Sequence, residues 1–347
     1  MNTSKKVGIM IVIAVVYFLF DTYLQAGGFK SVKNQFDGTE LEVYRGIWGT
    51  EDLEWDRAED ILYISALDRW AKNNGVDHGK DGIYYLDVRN GDQPIKMGTD
   101  YSGDLKPHGI SLFELNQEKY LYVVNHGNGT NSIELFKIES DFLNHIKTYT
   151  DPLMFSPNDI VGDQIDQFYV TNDHGNSSKN GRMVEDYLRM PYSYLLYYDG
   201  TKARKVHQGM VYANGVNLSN DGRTLYVSHS TGHEVFVLDR NKSTGDLKLK
   251  ETLDLDTGVD NIDVDENDVI WVATHPKLFQ FVTHAGDSTQ ISPSQFFKIE
   301  NVKGKYQVEK VYENDGTQIS ASSVVVVKND TAFVGNVFQD KVLKLRL

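Results

Sequence analysis

Six short apolar stretches along the chain each carry one central aromatic: Leu62-Tyr63-Ile64, Leu121-Tyr122-Val123, Phe168-Tyr169-Val170, Leu225-Tyr226-Val227, Ile270-Trp271-Val272 and Ala332-Phe333-Val334. Successive aromatics are separated by 59, 47, 57, 45 and 62 residues. A repeat of about 40–50 residues that supplies several short strands is the pattern of a β-propeller. The expected fold is therefore all-β, a six-bladed β-propeller. About ten to fourteen residues upstream of each aromatic stands a polar cluster: Glu51-Asp52, Pro107-His108-Gly109, Pro157-Asn158-Asp159, Ala213-Asn214-Gly215, Asp260-Asn261 and Ser322-Ser323. Equivalent positions of successive blades face one axis, so these clusters should form a ring of oxygen-bearing side chains.

Other alternating stretches fit the same architecture: Leu41-Glu-Val-Tyr44, residues 81–91, 132–138 and 234–239. Residues 341–347 alternate well and are expected to close the ring by strand pairing, since an open blade would leave a bare edge. Only residues 181–191 have helical spacing, with Met183, Val184, Tyr187 and Leu188 ahead of Pro191. The repeat runs unbroken to the C-terminus, which predicts one propeller domain over residues 46–347, preceded by a linker and first strand over 27–45. Residues 1–26 form a separate apolar segment, an N-terminal hydrophobic helix. Lys5-Lys6 precede an uncharged run from Val7 to Phe20, and Asp21 follows. The lysine pair favours a cytoplasmic N-terminus, with the propeller on the periplasmic, extracellular or luminal side. The reading is an uncleaved signal-anchor in the membrane; cleavage near Leu24-Gln25-Ala26 is the alternative.

A net charge of −14 argues against a nucleic-acid partner. The chain has no cysteine, so disulfides, thiolate metal sites and cysteine nucleophiles are excluded. Taken singly, Asn158-Asp159, Asn214-Gly215 and Asp260-Asn261 are ordinary turn dipeptides. Their recurrence at one repeat position, framed by apolar residues, changes that, because buried carboxylates and amides need partners. Converging oxygen donors suit calcium, which takes six to eight oxygens, better than zinc. His108, His126, His174 and His275 end strands or belong to the ring and are candidates for proton transfer. No G-x-S-x-G, H-E-x-x-H, Walker or G-x-G-x-x-G pattern occurs. Asn128 and Asn241 head N-glycosylation sequons, meaningful in a eukaryotic host.

Residues 49–54 (GTEDLE), 106–111 (KPHGIS), 121–126 (LYVVNH), 133–137 (IELFK), 157–161 (PNDIV), 168–174 (FYVTNDH), 213–217 (ANGVN), 259–262 (VDNI), 271–276 (WVATHP) and 335–338 (GNVF) resemble the paraoxonases. These are calcium-dependent six-bladed propeller lactonases and arylesterases, and the words occur here in the family's order. The resemblance implies two Ca2+ ions. A catalytic ion would be held by Glu51, Asn158, Asn214, Asp260 and Asn261, and a structural one by Asp52, Asp159 and the carbonyl of Ile110. It implies a catalytic pair, His108 and His126, and small-molecule lactone or ester substrates. It also implies a pocket lined by Asp173, His174, His275 and Ser323, with Trp70, Tyr212, Val337 and Phe338 as its apolar wall. The family's cysteines are absent, Thr274 stands in one of their places, and Tyr212 differs from relatives. Two other functions compete: a related propeller gluconolactonase or phosphotriesterase, and a non-catalytic, membrane-associated propeller.

Overall fold

The aromatic of each repeat points forward around a ring, and its two apolar neighbours point back. In a strand, alternate side chains take opposite faces, and here both faces are buried between blades. Tyr63 packs in the seam between the first and second blades, whereas Leu62 and Ile64 pack in the seam with the sixth. Tyr122, Tyr169, Tyr226, Trp271 and Phe333 obey the same rule, so six apolar clusters fill six seams. Phe333 completes the circle: its ring meets Trp55 of the first blade edge-on at 5.1 Å. The computed structural model from which these contacts come describes residues 3–91, 93–127 and 129–347; the sequon at Asn128 lies outside the described residues.

The architecture is the six-bladed propeller that the repeat predicts. Five blades are four-stranded antiparallel sheets, and the second gains a short parallel edge strand, Gly98–Thr99. The innermost strands are Thr50–Asp56, Pro107–Leu115, Pro157–Gln164, Ala213–Leu218, Gly258–Val264 and Ser322–Lys328. The repeat aromatics sit one strand further out.

Closure joins the two ends of the chain. The C-terminal strand Lys341–Arg346 pairs with Thr331–Asn336 on one side and with Thr39–Arg45 on the other. Thr39–Arg45 is thus the outer strand of the sixth blade, with Tyr44 opposite Val342 and fully buried. In a chain without cysteine, hydrogen bonds and the apolar seam hold this junction.

The helix expected near residues 181–191 spans Lys179–Leu188 and stops at Arg189, whose φ of 49° is left-handed, ahead of Pro191. The expectation of a single helix within the propeller needs correction. Arg69–Asn73 and Leu278–Gly286 are helical too. In the latter, Phe281 and Ala285, four residues apart, pack together beside Trp70. All three helices are inserted between the second and third strands of a blade, in the first, third and fifth blades. The N-terminal helix Thr3–Gln25 is long and apolar enough to cross a membrane. Its last turn touches the propeller: Asp21 pairs with Arg189, Tyr23 stacks on Phe279 at 6.1 Å, and Leu278 N–H donates to the Ala26 carbonyl at 3.0 Å.

Two glycines set the approach of neighbouring inner strands. A Cβ on Gly109 would stand 2.5 Å from Asp159 Cα and 2.8 Å from the Asn158 carbonyl oxygen. One on Gly215 would stand 2.6 Å from Asn261 Cα and 2.7 Å from the Asp260 carbonyl oxygen. Gly109→Ala is expected to cost about 1–3 kcal/mol in urea unfolding, the usual scale for overpacking. Gly286→Ala, with nothing within 4 Å, should stay within about 0.5 kcal/mol of the parent. Equal stabilities for the two variants would contradict this account of the axis.

Candidate active site

Each inner strand leaves its ladder where the ring residues stand. Register breaks fall between Thr50 and Asp52, Pro107 and Ile110, Pro157 and Ile160, Ala213 and Val216, Val259 and Ile262, and Ser322 and Val324. Glu51, His108, Asn158, Asp159, Asn214, Asp260, Asn261 and Ser323 occupy those intervals. Such breaks free side chains from the regular alternation and re-aim them.

A cavity of about 890 Å³ opens over this ring. Glu51, His108, His126, Asn158, Asn214 and Asp260 reach its surface, as do Asp173, Tyr212, His275, Val337 and Phe338. Asp52, Ile110, Asp159 and Asn261 are buried and do not line the cavity. Three expected pocket residues stand one layer back. Trp70 stacks on Phe338 at 5.3 Å, His174 meets Tyr212 edge-on at 5.2 Å, and Ser323 Oγ donates to the Glu51 carbonyl at 2.7 Å.

At the ring, the amide nitrogens of Asn214 and Asn261 are spoken for and several oxygens are not. Asn214 Nδ2 donates to Asp260 Oδ1 at 2.6 Å, and Asn261 Nδ2 donates to Glu51 Oε1 at 3.0 Å. Asp260 Oδ2 faces His275 Nε2 at 2.7 Å. Among the described residues, Glu51 Oε2, Asn158 Oδ1, Asn214 Oδ1 and Asn261 Oδ1 are buried without a hydrogen-bond partner. Each such orphan costs about 1–3 kcal/mol. Four of them on one ring of donors fit an oxygen-seeking cation. No trio of His, Asp or Glu among the described residues is arranged as a metal cage; the donor set is rich in amides instead.

Charge is stressed at the same place. Burial pushes Asp52 well above the usual carboxylate range, and the neighbouring Asp159 and Glu51 push it further. Asp159 is likewise pushed well up, chiefly by burial, and Asp260 is raised for the same reason. Burial would raise Glu51 too, but the charges of His108 and Arg69 and a hydrogen bond from Asn261 overturn that and hold it at about 2. Asp52 accepts from the N–H groups of Leu53 and Ile110, and Asp159 from those of Ile160 and Val216.

His108 and His126 form a directed relay. Asn131 Nδ2 donates to the Phe155 carbonyl at 2.6 Å, which leaves its Oδ1 to accept from His126 Nδ1 at 2.8 Å. His126 Nε2 therefore carries the lone pair and accepts from His108 Nδ1 at 2.9 Å. In the neutral pair, His108 Nε2 is then left unprotonated, 3.4 Å from Glu51 Oε1. Burial, and then the charge of His108, depress His126 to about 3.

Sequence reasoning missed much of the cavity's upper half. Arg69 and Lys72, then Arg182 and Tyr187, then Phe279, Phe281 and Val282 reach it from the three inserted helices, and Asn131 from a turn. None of these occupies a repeat position; their traces are the helical spacing of residues 181–191 and the longer first, third and fifth intervals.

An arylesterase family model matches residues 79–345. The chain belongs to the arylesterase family. Human serum paraoxonase/arylesterase 2 is 35% identical over 74% of this chain and 74% of that protein. Human serum paraoxonase/arylesterase 1 is 32% identical over 84% of each. A gluconolactonase from Xanthomonas campestris superposes with a TM-score of 0.54 at 14% identity, over 92% of this chain and 99% of that one, a likeness of fold alone. Membership supports an ester hydrolase.

In this arylesterase-family chain, His174 lies between two carboxylates, with Nδ1 2.6 Å from Asp173 Oδ1 and Nε2 3.0 Å from Asp186 Oδ1. Burial opposes its charging, but the two acids prevail and hold it at about 9. The folded value lies above the unfolded value of about 6.5, so the stabilisation is full below about pH 6.5 and is lost as pH rises through 9. Thermal melts across this window should show that loss, and His174→Gln should remove it. A variant that keeps the same alkaline slope would place the titration elsewhere.

Proposed function

We propose that this protein is a calcium-dependent hydrolase of lactones and aryl esters. The observation that carries the reading is the set of four unpartnered buried oxygens on the ring, beside a histidine whose free nitrogen faces the same cavity. Glu51, Asn158, Asn214, Asp260 and Asn261 would hold one Ca2+, and Asp52, Asp159 and the Ile110 carbonyl a second. Calcium is favoured by an all-oxygen, amide-rich donor set. The raised acids Asp52 and Asp159 would be relieved by a neighbouring cation.

The bound catalytic ion would supply polarisation of the ester carbonyl and stabilise developing oxyanion charge. His108 Nε2 takes a proton from the attacking water as the water oxygen forms its bond to the carbonyl carbon. His126 accepts the His108 Nδ1 hydrogen and, being depressed to about 3, does not take the proton for itself. When the carbon–oxygen bond of the leaving group breaks, His108 returns the proton to the departing oxygen. Asn131 positions this relay by fixing the tautomer of His126. Phe281, Val337 and Phe338, backed by Trp70, offer an apolar face for the acyl or aryl part and keep bulk water from the carbonyl.

The N-terminal helix serves in this reading as a membrane anchor, with the propeller on the non-cytoplasmic side. Its last turn contributes Thr22, Gln25 and Ala26 to the cavity rim. Nearby Phe279 and Val282 are exposed apolar side chains, which suits a mouth lying close to lipid.

Exhaustive calcium chelation is expected to abolish hydrolysis of phenyl acetate and of γ- and δ-lactones and to lower the melting temperature; re-addition of calcium should restore both. Turnover that survives chelation would rule out the mechanism. His108→Gln should lower kcat by about 10²–10⁴ while the calcium-dependent rise in melting temperature persists. A variant with parental kcat would remove His108 from the role of base.

A further inference from the structure

We propose that Arg69 makes this site selective for lactones and esters that carry a carboxylate a few bonds from the scissile carbonyl. This rests on the hydrolase reading above. Arg69 follows Asp68, which caps its short helix, and its side chain is 15% exposed. Nη1 donates to the Val337 carbonyl at 3.3 Å, a bond that anchors the guanidinium against the wall. Nη2 is buried with no hydrogen-bond partner among the described residues, and its nearest carboxylate oxygen, Glu51 Oε2, is 3.8 Å away, beyond hydrogen-bonding distance. Glu51 is the one ion-pair partner of this guanidinium among the described residues, and Glu51 is shared with His108 and Asn261.

The surrounding charge points the same way. Lys72, on the same helix, lines the cavity without an ion pair among the described residues. Arg182, facing it from the third blade, spends its donors on the carbonyls of Asn176 and Phe155. The acids at this level are already partnered: Asp173 by Ser156 and His174, Asp186 by His174. Asp21 pairs with Arg189. The unmatched charge in the mouth is therefore positive, on a chain whose net charge is −14. A planar guanidinium with a free terminal nitrogen matches a planar carboxylate. Its proximity to Glu51 sets that carboxylate close to the carbonyl being attacked.

The test uses the full calcium-loaded chain and two substrates, a γ-butyrolactone bearing a ring carboxylate and the corresponding carboxamide. The parent should prefer the carboxylate by roughly tenfold or more in kcat/KM, the scale of one charge-assisted hydrogen bond. Arg69→Gln should bring that ratio near one, chiefly through KM, and Arg69→Lys should keep part of it. No preference in the parent, or equal losses on both substrates in Arg69→Gln, would overturn the proposal and leave Arg69 as a support for Glu51. Calorimetric titration with cyclopentanecarboxylate, its carboxamide and cyclopentyl phosphate reads the site without turnover. Carboxylate-selective binding that disappears in Arg69→Gln supports the proposal even if neither lactone is hydrolysed, in which case the hydrolase reading alone fails. Tighter binding of the phosphate would overturn the carboxylate assignment.

Discussion

The fold brings buried carboxylates to one axis, and the rest of the site follows from the need to neutralise them. Every inner strand breaks register at its head. Gly109 and Gly215 lie inside two of those breaks and let neighbouring backbones approach closely. Glu51, Asp52, Asp159 and Asp260 are thereby taken out of water together. Like charges at close range in a low dielectric cannot all persist unaided. His108, Arg69 and Asn261 relieve Glu51, while Asp52 and Asp159 are left raised. The imbalance and the orphaned amide oxygens are the two faces of one demand for positive charge.

The repeat aromatics and the ring could be read from the sequence because both obey the geometry of a strand. Tyr63, Tyr122, Tyr169, Tyr226, Trp271 and Phe333 are fixed by period two: each must fill the seam ahead while its neighbours fill the one behind. Glu51, His108, Asn158, Asn214 and Asp260 are fixed by their place at the head of an inner strand. Arg69, Asn131 and Phe281 obey neither rule. They belong to insertions or turns whose conformation is set by what they pack against, so their roles had no local signature. Ser323 shows the limit of the repeat itself: it holds the equivalent position, yet it braces the Glu51 backbone instead of facing the cavity.

The uneven spacing of the aromatics carries more information than a mean period would. Intervals of 59, 57 and 62 residues contain the helices Arg69–Asn73, Lys179–Leu188 and Leu278–Gly286, whereas those of 47 and 45 contain none of the three. The longer blades alternate with the shorter ones, so three helices stand around the mouth at every second blade. What the repeat keeps constant is the ring; what departs from it builds the wall.

This division places stability, chemistry and selectivity on different parts of the chain. The six seams lie between blades and hold the circle without a disulfide. The register breaks gather the donors and seat His108, whose tautomer depends on Asn131, a residue outside the repeat. The insertions lie outside the six blade seams and meet the relay only at its edge, where Arg182 shares the Phe155 carbonyl with Asn131 and Arg69 stands 3.8 Å from Glu51. A cation such as Arg69 can therefore be set over an acidic ring only from an insertion. On an inner strand it would lie among the buried carboxylates and amide oxygens of the ring itself. From the helix after the second strand it reaches the cavity above them.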